Sequence, residues 1–354
     1  MVTQLVEVNE MTLEEAGRIL RNGGLVAFPT ETVYGLGGDA LNPESSSKIY
    51  AAKGRPSDNP LIVHIAHTED LSKVASVVPE LAYKLADRFW PGPLTMILPK
   101  ADCIPKQTTG GLDTVAVRLP SNEVARALID ASGCFIAAPS ANLSGRPSPT
   151  SASHVYEDFD GRIEMILDGG DVAIGLESTI VDLTCNPPML LRPGYITADM
   201  LAQVCGEVSA DVTMMSVAPG QAPKAPGMKY RHYAPKGSLA IVEGQQEEVV
   251  RYINEQLSKE MSEGRKTGVI ATSETASLYK ADLVMDAGSR DCEEQIAHNL
   301  YRILREFDEQ NIEVMYSEAF GEAGICQAIT NRLLKAAGHH VINLSDKMET
   351  RLEK

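Results

Sequence analysis

The stretch LVAFPTETVYGLGGDA, residues 25–40, decides the fold class of the N-terminal half. A short apolar run ends at Pro29, and three side chains with hydroxyl or carboxyl groups follow it: Thr30, Glu31 and Thr32. A tyrosine and three glycines complete the stretch. An apolar run of this length that ends at a proline is typical of a buried strand. The pattern therefore predicts a strand followed by a loop that holds something small and polar.

Helical and strand patterns alternate on both sides of this stretch. Upstream, we expect a helix that begins with a capping box of Thr12 and Glu15 and ends near Arg21, before two glycines. Downstream, the amphipathic segment PELAYKLADRFW is predicted to be helical, and the apolar segments PLIVHIA and TVAVRLP are predicted to be strands. The alternation indicates an α/β fold with a twisted open sheet.

The C-terminal part has the same character on a smaller scale. Proline and glycine crowd residues 207–237, which we interpret as a linker. Beyond it, apolar strands alternate with the long helical segments QEEVVRYINEQLSKEM and CEEQIAHNLYRILREFDEQ. This pattern predicts a Rossmann-like, doubly wound α/β domain. The predicted division is a catalytic domain over 1–206, a linker over 207–237 and a smaller domain over 238–354.

Composition excludes several classes of protein. The 354 residues carry a formal net charge of −16, which disfavours a general nucleic-acid coat because binding to phosphate backbones needs a surplus of Lys and Arg. No signal peptide or membrane span is predicted, so we expect a cytoplasmic protein without membrane contact. The six cysteines lie far apart, which favours buried thiols over a zinc site or a disulfide framework.

Several basic residues are candidates for ligand binding. Lys53 and Arg55 flank a glycine after a predicted helix, where they suit a phosphate chain, although a solvated helix end is an equally simple explanation. Arg118 lies inside an apolar strand, where an unpaired guanidinium would be costly to bury. Its anion is either a structural Asp or Glu or the carboxylate of a substrate, and the sequence leaves both open. His64 lies in another apolar strand, where a histidine is more often a core residue than a ligand.

Small polar loops follow the later strands. IAAPSANLSGRPSPTS contains Ser140 and Ser148, and the segments GLESTIVDL and LLRPG contain Ser178 and Arg192. Open α/β sheets bind ligands where such loops meet the carboxyl ends of the strands. The linker also contains KYRHY, with Arg231 at its centre, which either docks on the acidic surface of the protein or, as we expect, acts as a lid over a phosphate ligand in the active site.

Eight motifs in order resemble the YrdC-like family. They are PTETVYGLG, KGRPSDNPLIVHI, WPGPLT, VAVRLP, APSANLSGRPSPT, LESTIVDL, LLRPG and PGMKYRHYAP. The resemblance extends to the two-domain members, the threonylcarbamoyl-AMP synthases, which carry a linker and a C-terminal domain. It implies that L-threonine, bicarbonate and ATP give L-threonylcarbamoyladenylate and pyrophosphate. A separate tRNA threonylcarbamoyl transferase then uses the product.

The resemblance also implies which residues bind the substrates. The threonine-binding residues would be Thr32, His64, Arg118, Ala138 and Ser178. The ATP-binding residues would be Lys53, Arg55, Asn59, Thr114, Ser140, Ser148, Arg192 and Arg231. Lys53 and Arg55 would also act in catalysis by stabilising the departing pyrophosphate, together with Mg²⁺ that ATP brings and that no protein side chain ligates.

Two other functions are compatible with parts of the sequence. A double-stranded RNA or tRNA-binding module without its own catalysis would also use Lys53, Arg55 and Arg146, although the net charge of −16 argues against it. A carbamoyl-transferring relative that acts in hydrogenase maturation would carry additional acyl-phosphatase and zinc-finger domains. The chain has no cysteine pairs of the kind that zinc fingers need. Transient contact with tRNA stays open.

Overall fold

A computed structural model describes residues 2–210 and 233–345. Of these, residues 2–144 and 148–210 form one compact unit, and residues 145–147 with 233–345 form a second. Residues 229–232 of the predicted lid, including Arg231, lie outside the described residues. The boundaries 1–206, 207–237 and 238–354 stay a prediction. Both units are α/β, as the alternating pattern predicts.

The first unit is built on a mixed sheet of eleven strands. The strands are β1 (Gln4–Glu7), β2 (Val26–Phe28), β3 (Gly35–Asp39), β4 (Ile62–His64), β5 (Leu94–Pro99), β6 (Thr114–Arg118), β7 (Ile136–Ala138), β8 (Met165–Asp168), β9 (Thr179–Asp182), β10 (Met189–Arg192) and β11 (Ser209–Ala210). Their order across the sheet is β1-β8-β2-β3-β7-β4-β6-β5-β9-β10-β11. Both parallel and antiparallel pairs occur, so the sheet is open and mixed.

Helices pack on this sheet. They are α1 (Glu10–Arg21), α2 (Pro43–Lys53), α3 (Leu71–Val74), α4 (Glu80–Phe89), α5 (Glu123–Ser132), α6 (Ala152–Phe159) and α7 (Ala198–Cys205), with a 3₁₀ turn at Thr68–Asp70. The predicted end of α1 at Arg21 is confirmed, but the predicted capping box is wrong. Asn9 is the N-cap, and it exchanges hydrogen bonds with Thr12, whose hydroxyl takes the place that Glu15 was expected to fill.

The deciding stretch forms a hairpin. The apolar run is β2, as predicted, but the glycines after Tyr34 do not form a loop: they belong to β3, which pairs antiparallel with β2. A Cβ atom on Gly37 would lie 2.7 Å from the Ile136 side chain and 2.8 Å from Phe28. The glycine run therefore reflects close packing on both sides of a buried strand, which a sequence pattern alone does not distinguish from a turn.

The two faces of the sheet have different cores. Alternation within a strand places neighbouring residues on opposite faces. Val63 and Val117 belong to the large core that also contains Leu36, Phe89 and Phe159. Ile62 and Ala116 belong to a separate small cluster, and Phe28 and Ala138 belong to a third, under α1 and α5. Side chains that follow the phase of Ile62 and Ala116 therefore lie opposite the large core.

The second unit is a smaller sheet of five parallel strands in the order β14-β13-β15-β12-β16. Its elements are β12 (Ser238–Glu243), α8 (Gln246–Ser262), β13 (Thr267–Ala271), a 3₁₀ turn (Ala276–Leu278), β14 (Leu283–Asp286), α9 (Glu293–Glu309), β15 (Val314–Glu318), α10 (Cys326–Ala336) and β16 (Val341–Asn343). Parallel strands that alternate with helices confirm the predicted Rossmann-like class.

The cysteines differ from the expectation in burial. Only Cys326 is buried, Cys103 is exposed, and the other four have intermediate exposure, so the prediction of six buried thiols is wrong. All six are free. Over residues 2–210 and 233–345, no helix has the length and apolar character to cross a membrane.

Candidate active site

Three predicted side chains, those of His64, Arg118 and Ser178, lie at one edge of the first sheet. The parallel strands β4 and β6 end together, and their last residues, His64 and Arg118, are paired in register. On the other side of β6, Arg118 is paired with Thr95 near the start of the antiparallel strand β5. Ser178 immediately precedes β9, the next strand. The phase of His64 and Arg118 places both on the face opposite the large core.

Arg118 forms an ion pair with Glu31, whose side chain lies in the loop after β2. Its Nη2 atom lies 2.9 Å from Oε1 of Glu31, and the two side chains are only 5% and 8% exposed. The structural carboxylate that the sequence left open as an explanation for Arg118 is therefore present. However, Nε and Nη2 of Arg118 and both carboxylate oxygens of Glu31 make no hydrogen bond with the residues described. The groups are close but not aligned as hydrogen bonding requires.

His64 is a buried neutral residue. Its Nδ1 atom lies 3.1 Å from the carbonyl oxygen of Ile62, and its ring packs edge-on against Phe28, with ring centroids 6.1 Å apart. Burial, followed by the nearby Arg118 guanidinium, lowers the pKa of His64 to about 3. At neutral pH the imidazole is uncharged, so Arg118 is the cation at this point of the edge.

Ser178 is at the centre of a small hydrogen-bonded group. Its hydroxyl lies 2.7 Å from the Thr95 hydroxyl and accepts a bond of 3.1 Å from Nη2 of Arg192. Nε of Arg192 also donates to the Ser178 carbonyl oxygen at 3.0 Å. A residue predicted to bind threonine and one predicted to bind ATP are thus in direct contact.

Lys53 connects the end of α2 to the loop after β7. Gly54, with φ of +63°, ends α2 in the left-handed conformation, and the Lys53 ammonium turns inward. It is buried and donates to the carbonyl oxygens of Ser140 and Asn142. The Ser140 hydroxyl donates to the Asn142 amide oxygen at 2.5 Å. The structure therefore brings Lys53 and Ser140 together, as part of a built loop rather than a solvated helix end.

Two further predicted residues, Arg55 and Asn59, lie in the loop between α2 and β4. Nη2 of Arg55 donates to the carbonyl oxygens of Asn59 and Pro60 at 3.1 and 3.0 Å. The Asn59 amide is fully buried, and neither of its polar atoms has a hydrogen-bond partner within the described part of the chain. Buried amides are normally bonded, so this group retains capacity for a ligand.

Ser148 donates to Oε1 of Glu177 at 2.5 Å. Both residues are buried. This contact joins the loop after β7 to the segment before β9, which also contains Ser178.

Other predicted residues are not joined to these groups by a described contact. Thr114 begins β6, about 13 Å along the strand from Arg118 at a rise of about 3.3 Å per residue. The Thr32 hydroxyl lies 2.8 Å from that of Thr30. Ala138 is paired with Ile62 in the sheet, two residues before His64 along β4. Their assignment to threonine or ATP stays a prediction.

Three residues of the site were not selected from the sequence. Glu31, Thr95 and Glu177 each contact a predicted residue through a buried side chain. A signal was available for Glu31, since a carboxylate between two threonines is unusual directly after a buried strand. Thr95 carries no such signal, because its role depends on strand pairing between distant segments.

The described residues contain no cluster of three or more His, Cys, Asp or Glu side chains arranged to hold a metal ion. The polar edge is instead supplied with cations, hydroxyls and amides. Such groups fit anionic and hydroxylated organic ligands, and they fit a metal ion that arrives already bound to the phosphates of a nucleotide.

Comparison with known families identifies the class. Residues 18–194 match the family Sua5_yciO_yrdC, described as "Telomere recombination", and residues 196–338 match the family described as "Threonylcarbamoyl-AMP synthase, C-terminal domain". The mixed sheet with its polar edge, followed by a small parallel sheet, is thus the two-domain Sua5 type of the YrdC-like proteins.

Relatives match over almost the whole chain. The threonylcarbamoyl-AMP synthase of Pyrococcus abyssi is 50% identical, with 95% of this chain and 97% of that protein covered. The Bacillus subtilis threonylcarbamoyl-AMP synthase is 48% identical, with 96% and 97% covered. A crystal structure of P. abyssi Sua5 complexed with L-threonine matches with a TM-score of 0.91 and 49% identity, over 97% of this chain and all of that one. The chain belongs to the threonylcarbamoyl-AMP synthase family.

Proposed function

We propose that this enzyme is an L-threonylcarbamoyladenylate synthase, a nucleotidyltransferase that uses L-threonine, bicarbonate and ATP. The observation that carries the proposal is the row of buried polar groups at one sheet edge, in a chain that matches such a synthase over 95% of its length. Arg118 is charged, His64 is neutral and Ser178 offers a hydroxyl. These groups complement the carboxylate and the hydroxyl of threonine.

The reaction needs no nucleophile from the protein. Bicarbonate takes up a proton and loses water to give CO₂. The uncharged threonine amine then forms a C–N bond to the carbon of CO₂ while one C=O π bond opens, and the nitrogen releases a proton to solvent, giving a carbamate. A carbamate oxygen then forms a bond to the α-phosphorus of ATP, while the bond from that phosphorus to the bridging oxygen of pyrophosphate breaks. The chain contributes by holding the two reactants in line and neutralising charge.

The residues divide into two groups for these tasks. Thr32, His64, Arg118, Ala138 and Ser178 bind threonine, and Lys53, Arg55, Asn59, Thr114, Ser140, Ser148, Arg192 and Arg231 bind ATP. The contact between Ser178 and Arg192 supports a shared boundary between the two substrates. Lys53 fixes the loop that contains Ser140 and contributes positive charge near it. With Arg55, it would favour departure of pyrophosphate.

Mg²⁺ would accompany ATP and neutralise its phosphates. The donor set supports this arrangement, because hard cations prefer oxygen ligands and ATP supplies them. Further along the route, a tRNA threonylcarbamoyl transferase would consume the adenylate in the cytoplasm. An RNA-binding module without catalysis is disfavoured, since the Lys53 ammonium is buried and the Arg146 guanidinium lies 3.9 Å from the Asp308 carboxylate.

The test uses the purified full chain with L-threonine, ¹³C-bicarbonate and Mg-ATP. We expect threonine-dependent release of pyrophosphate and an adenylate that carries the ¹³C label, detected by mass spectrometry. Reactions without threonine, and with AMP in place of ATP, are the controls. Pyrophosphate release that does not depend on threonine, or a product without the label, would refute the proposal.

A further inference from the structure

The pair formed by Glu31 and Arg118 has unused hydrogen-bonding capacity. Both side chains are buried at a distance of 2.9 Å, yet four of their polar atoms lack a hydrogen bond to any described residue. Removing two charges from water is costly unless hydrogen bonds satisfy the remaining donors and acceptors. Buried polar side chains in native proteins nearly always have such partners. The missing partners point to a ligand.

A structural ion pair in the same chain looks different. The Glu318 carboxylate, in the second unit, is also buried, and it accepts hydrogen bonds from Thr272, Thr275, Tyr279 and Arg290. Both of its oxygens are used. Glu31 has one charged neighbour and no such donors in the described residues. Architecture alone therefore accounts for Glu318 but not for Glu31.

The charges of the pair define what kind of ligand can bind against it. Arg118 by itself would favour an anion, whereas Arg118 with Glu31 is a neutral pair with a positive and a negative end. His64, next to Arg118 in register, is uncharged and leaves that balance unaltered. A neutral pair of this kind is matched by a zwitterion, because each charge of the ligand meets the opposite charge of the protein.

We propose that Glu31 binds the α-ammonium group of the amino-acid substrate while Arg118 binds its carboxylate. Glu31 is then a substrate-binding residue, and the pair selects amino acids over hydroxy acids and other simple anions. This inference rests on the proposed function, which supplies threonine as the ligand. It adds the recognition of the amino group, which none of the residues assigned above explains.

The experiment compares L-threonine with (R)-3-hydroxybutyrate, which is threonine without its amino group. Binding of both is measured by calorimetry for the wild type, Glu31→Gln, Glu31→Asp and the matched control Glu318→Gln. Binding of a non-hydrolysable Mg-ATP analogue reports whether each variant retains its folded site. We expect Glu31→Gln to lose threonine affinity by about 30-fold or more, since a charge-assisted bond to a buried carboxylate is lost.

The other arms make the assignment specific. Under the proposal, (R)-3-hydroxybutyrate binds Glu31→Gln at least as well as it binds the wild type, Glu31→Asp has intermediate threonine affinity, and Glu318→Gln binds both ligands normally. Equal loss of both ligands in Glu31→Gln would mean that Glu31 only positions Arg118, and unchanged threonine affinity would mean that it does not touch the ligand. Either result overturns the inference.

Failure of the proposed function would give a different result. In that case the wild type itself would show no threonine-dependent pyrophosphate release. If the wild type is active and Glu31→Gln has an unchanged KM for threonine, the proposed function stands and only the role of Glu31 is rejected. A raised KM for threonine with an unchanged KM for ATP is the outcome that supports Glu31 as a binding residue.

Discussion

The two units each bury a glutamate against an arginine, and the two pairs have opposite hydrogen-bond status. The Glu318 carboxylate in the second unit has four donors from side chains, whereas the Glu31 carboxylate in the first has an ion-pair partner but no hydrogen bond within the described ranges. Both carboxylates are buried and both face an arginine, so carboxylate burial and charge do not distinguish a structural pair from a ligand site. Satisfaction of the hydrogen-bonding groups does, because an architecture selected for stability leaves few buried polar atoms without partners.

The same distinction extends to the surroundings of each carboxylate. Burial, followed by its hydrogen bond to Glu318, raises the pKa of Tyr279, so this phenol stays protonated and remains a donor. Tyr279 therefore keeps its role as a donor to the Glu318 carboxylate at neutral pH. Glu31 faces the Arg118 guanidinium, and the imidazole next to Arg118, that of His64, is neutral. The charged groups of a substrate can therefore pair with Glu31 and Arg118.

The largest effect is expected when the side chain of the amino-acid substrate is changed. It tests whether buried hydroxyls of the first unit, like the Glu31–Arg118 pair, keep hydrogen-bonding capacity for a ligand. A hydroxyl can donate once and accept twice, so Thr32 and Ser178 can engage a ligand although each already contacts a neighbour. Valine has the shape of threonine without the hydroxyl. A site built to bond a hydroxyl rejects such an analogue by roughly 10⁴-fold. We expect kcat/KM for valine, from pyrophosphate release, to fall by that order.

The matched control is the KM for ATP, which should not depend on the amino acid supplied. Equal pyrophosphate release with valine and threonine would show that Thr32 and Ser178 do not recognise the hydroxyl. Unused hydrogen-bonding capacity would then indicate a ligand site for charged pairs but not for hydroxyls.

The second prediction separates stability from binding at Arg118. Arg118→Met should weaken threonine binding by roughly 2–5 kcal/mol and leave ATP binding nearly intact, because the carboxylate partner is lost. It should also destabilise the first unit, since Glu31 is left buried without a counter-charge. The double variant Glu31→Met/Arg118→Met removes both charges and should recover stability but not threonine affinity. Calorimetry and denaturant unfolding give the two measurements.

Loss of ATP affinity equal to that of threonine would place Arg118 at the nucleotide. A double variant as unstable as Arg118→Met would show that the pair contributes to the architecture, as Glu318 does. Either result would contradict the assignment of the Glu31–Arg118 pair as a binding site for threonine.

The third prediction concerns Glu318 in the second unit, where a substitution should lower stability and leave ligand binding unchanged. Glu318→Gln places an amide NH₂ among groups that donate to the carboxylate, so one or more of Thr272, Thr275 and Tyr279 loses its acceptor. A buried donor left without an acceptor costs about 1–3 kcal/mol. We expect faster amide hydrogen exchange in β12, β13 and β15, measured by mass spectrometry, with normal threonine affinity. Weakened threonine binding in this variant would contradict a purely structural role.

Much of the architecture could be predicted from local patterns, and the exceptions have a common cause. The alternation of apolar strands and amphipathic helices is local, and it indicated both α/β units correctly. Strand β3 was missed because its glycines signal a turn, and only the packing of Phe28 and Ile136 against Gly37 explains them. The N-cap of α1 was placed wrongly because Thr12 with Glu15 satisfies the same local rule as Asn9 with Thr12.

The sequence predicts which chemical groups the site contains, but it does not predict which distant residues contact one another there. The sequence shows that Arg118 needs an anion, since it lies within an apolar strand. It does not show that Glu31, 87 positions earlier, supplies one, because that contact depends on how β2 and β6 are arranged in the sheet. The resemblance selects residues that would touch the ligand, and therefore passes over Thr95 and Glu177, which orient those residues.

The smallest effect concerns His64. It tests whether this histidine stays neutral, so that it adds no second positive charge next to Arg118. With a folded-state pKa of about 3, below the ordinary value of 6.5, His64 stays neutral in the native protein while the unfolded chain takes up a proton. Its contribution to stability is therefore complete above pH 6.5 and is lost progressively as the pH falls towards 3. Between pH 7.5 and 5.5 the wild type should lose about 1.4 kcal/mol relative to His64→Gln, which has no such proton to bind. The measurement is denaturant unfolding of both proteins at the two pH values, followed through the first unit, and the comparison with the variant cancels the titration of all other groups.

NMR of the imidazole gives a direct check, since a neutral ring at pH 5.5 has the chemical shifts of a single protonated nitrogen. Parallel stability profiles, or a ring that titrates near 6.5, would mean that His64 can become charged beside Arg118. A charged His64 and Arg118 would then both lie near Glu31, and these three groups would fit an anion better than the zwitterion that the neutral Glu31–Arg118 pair selects.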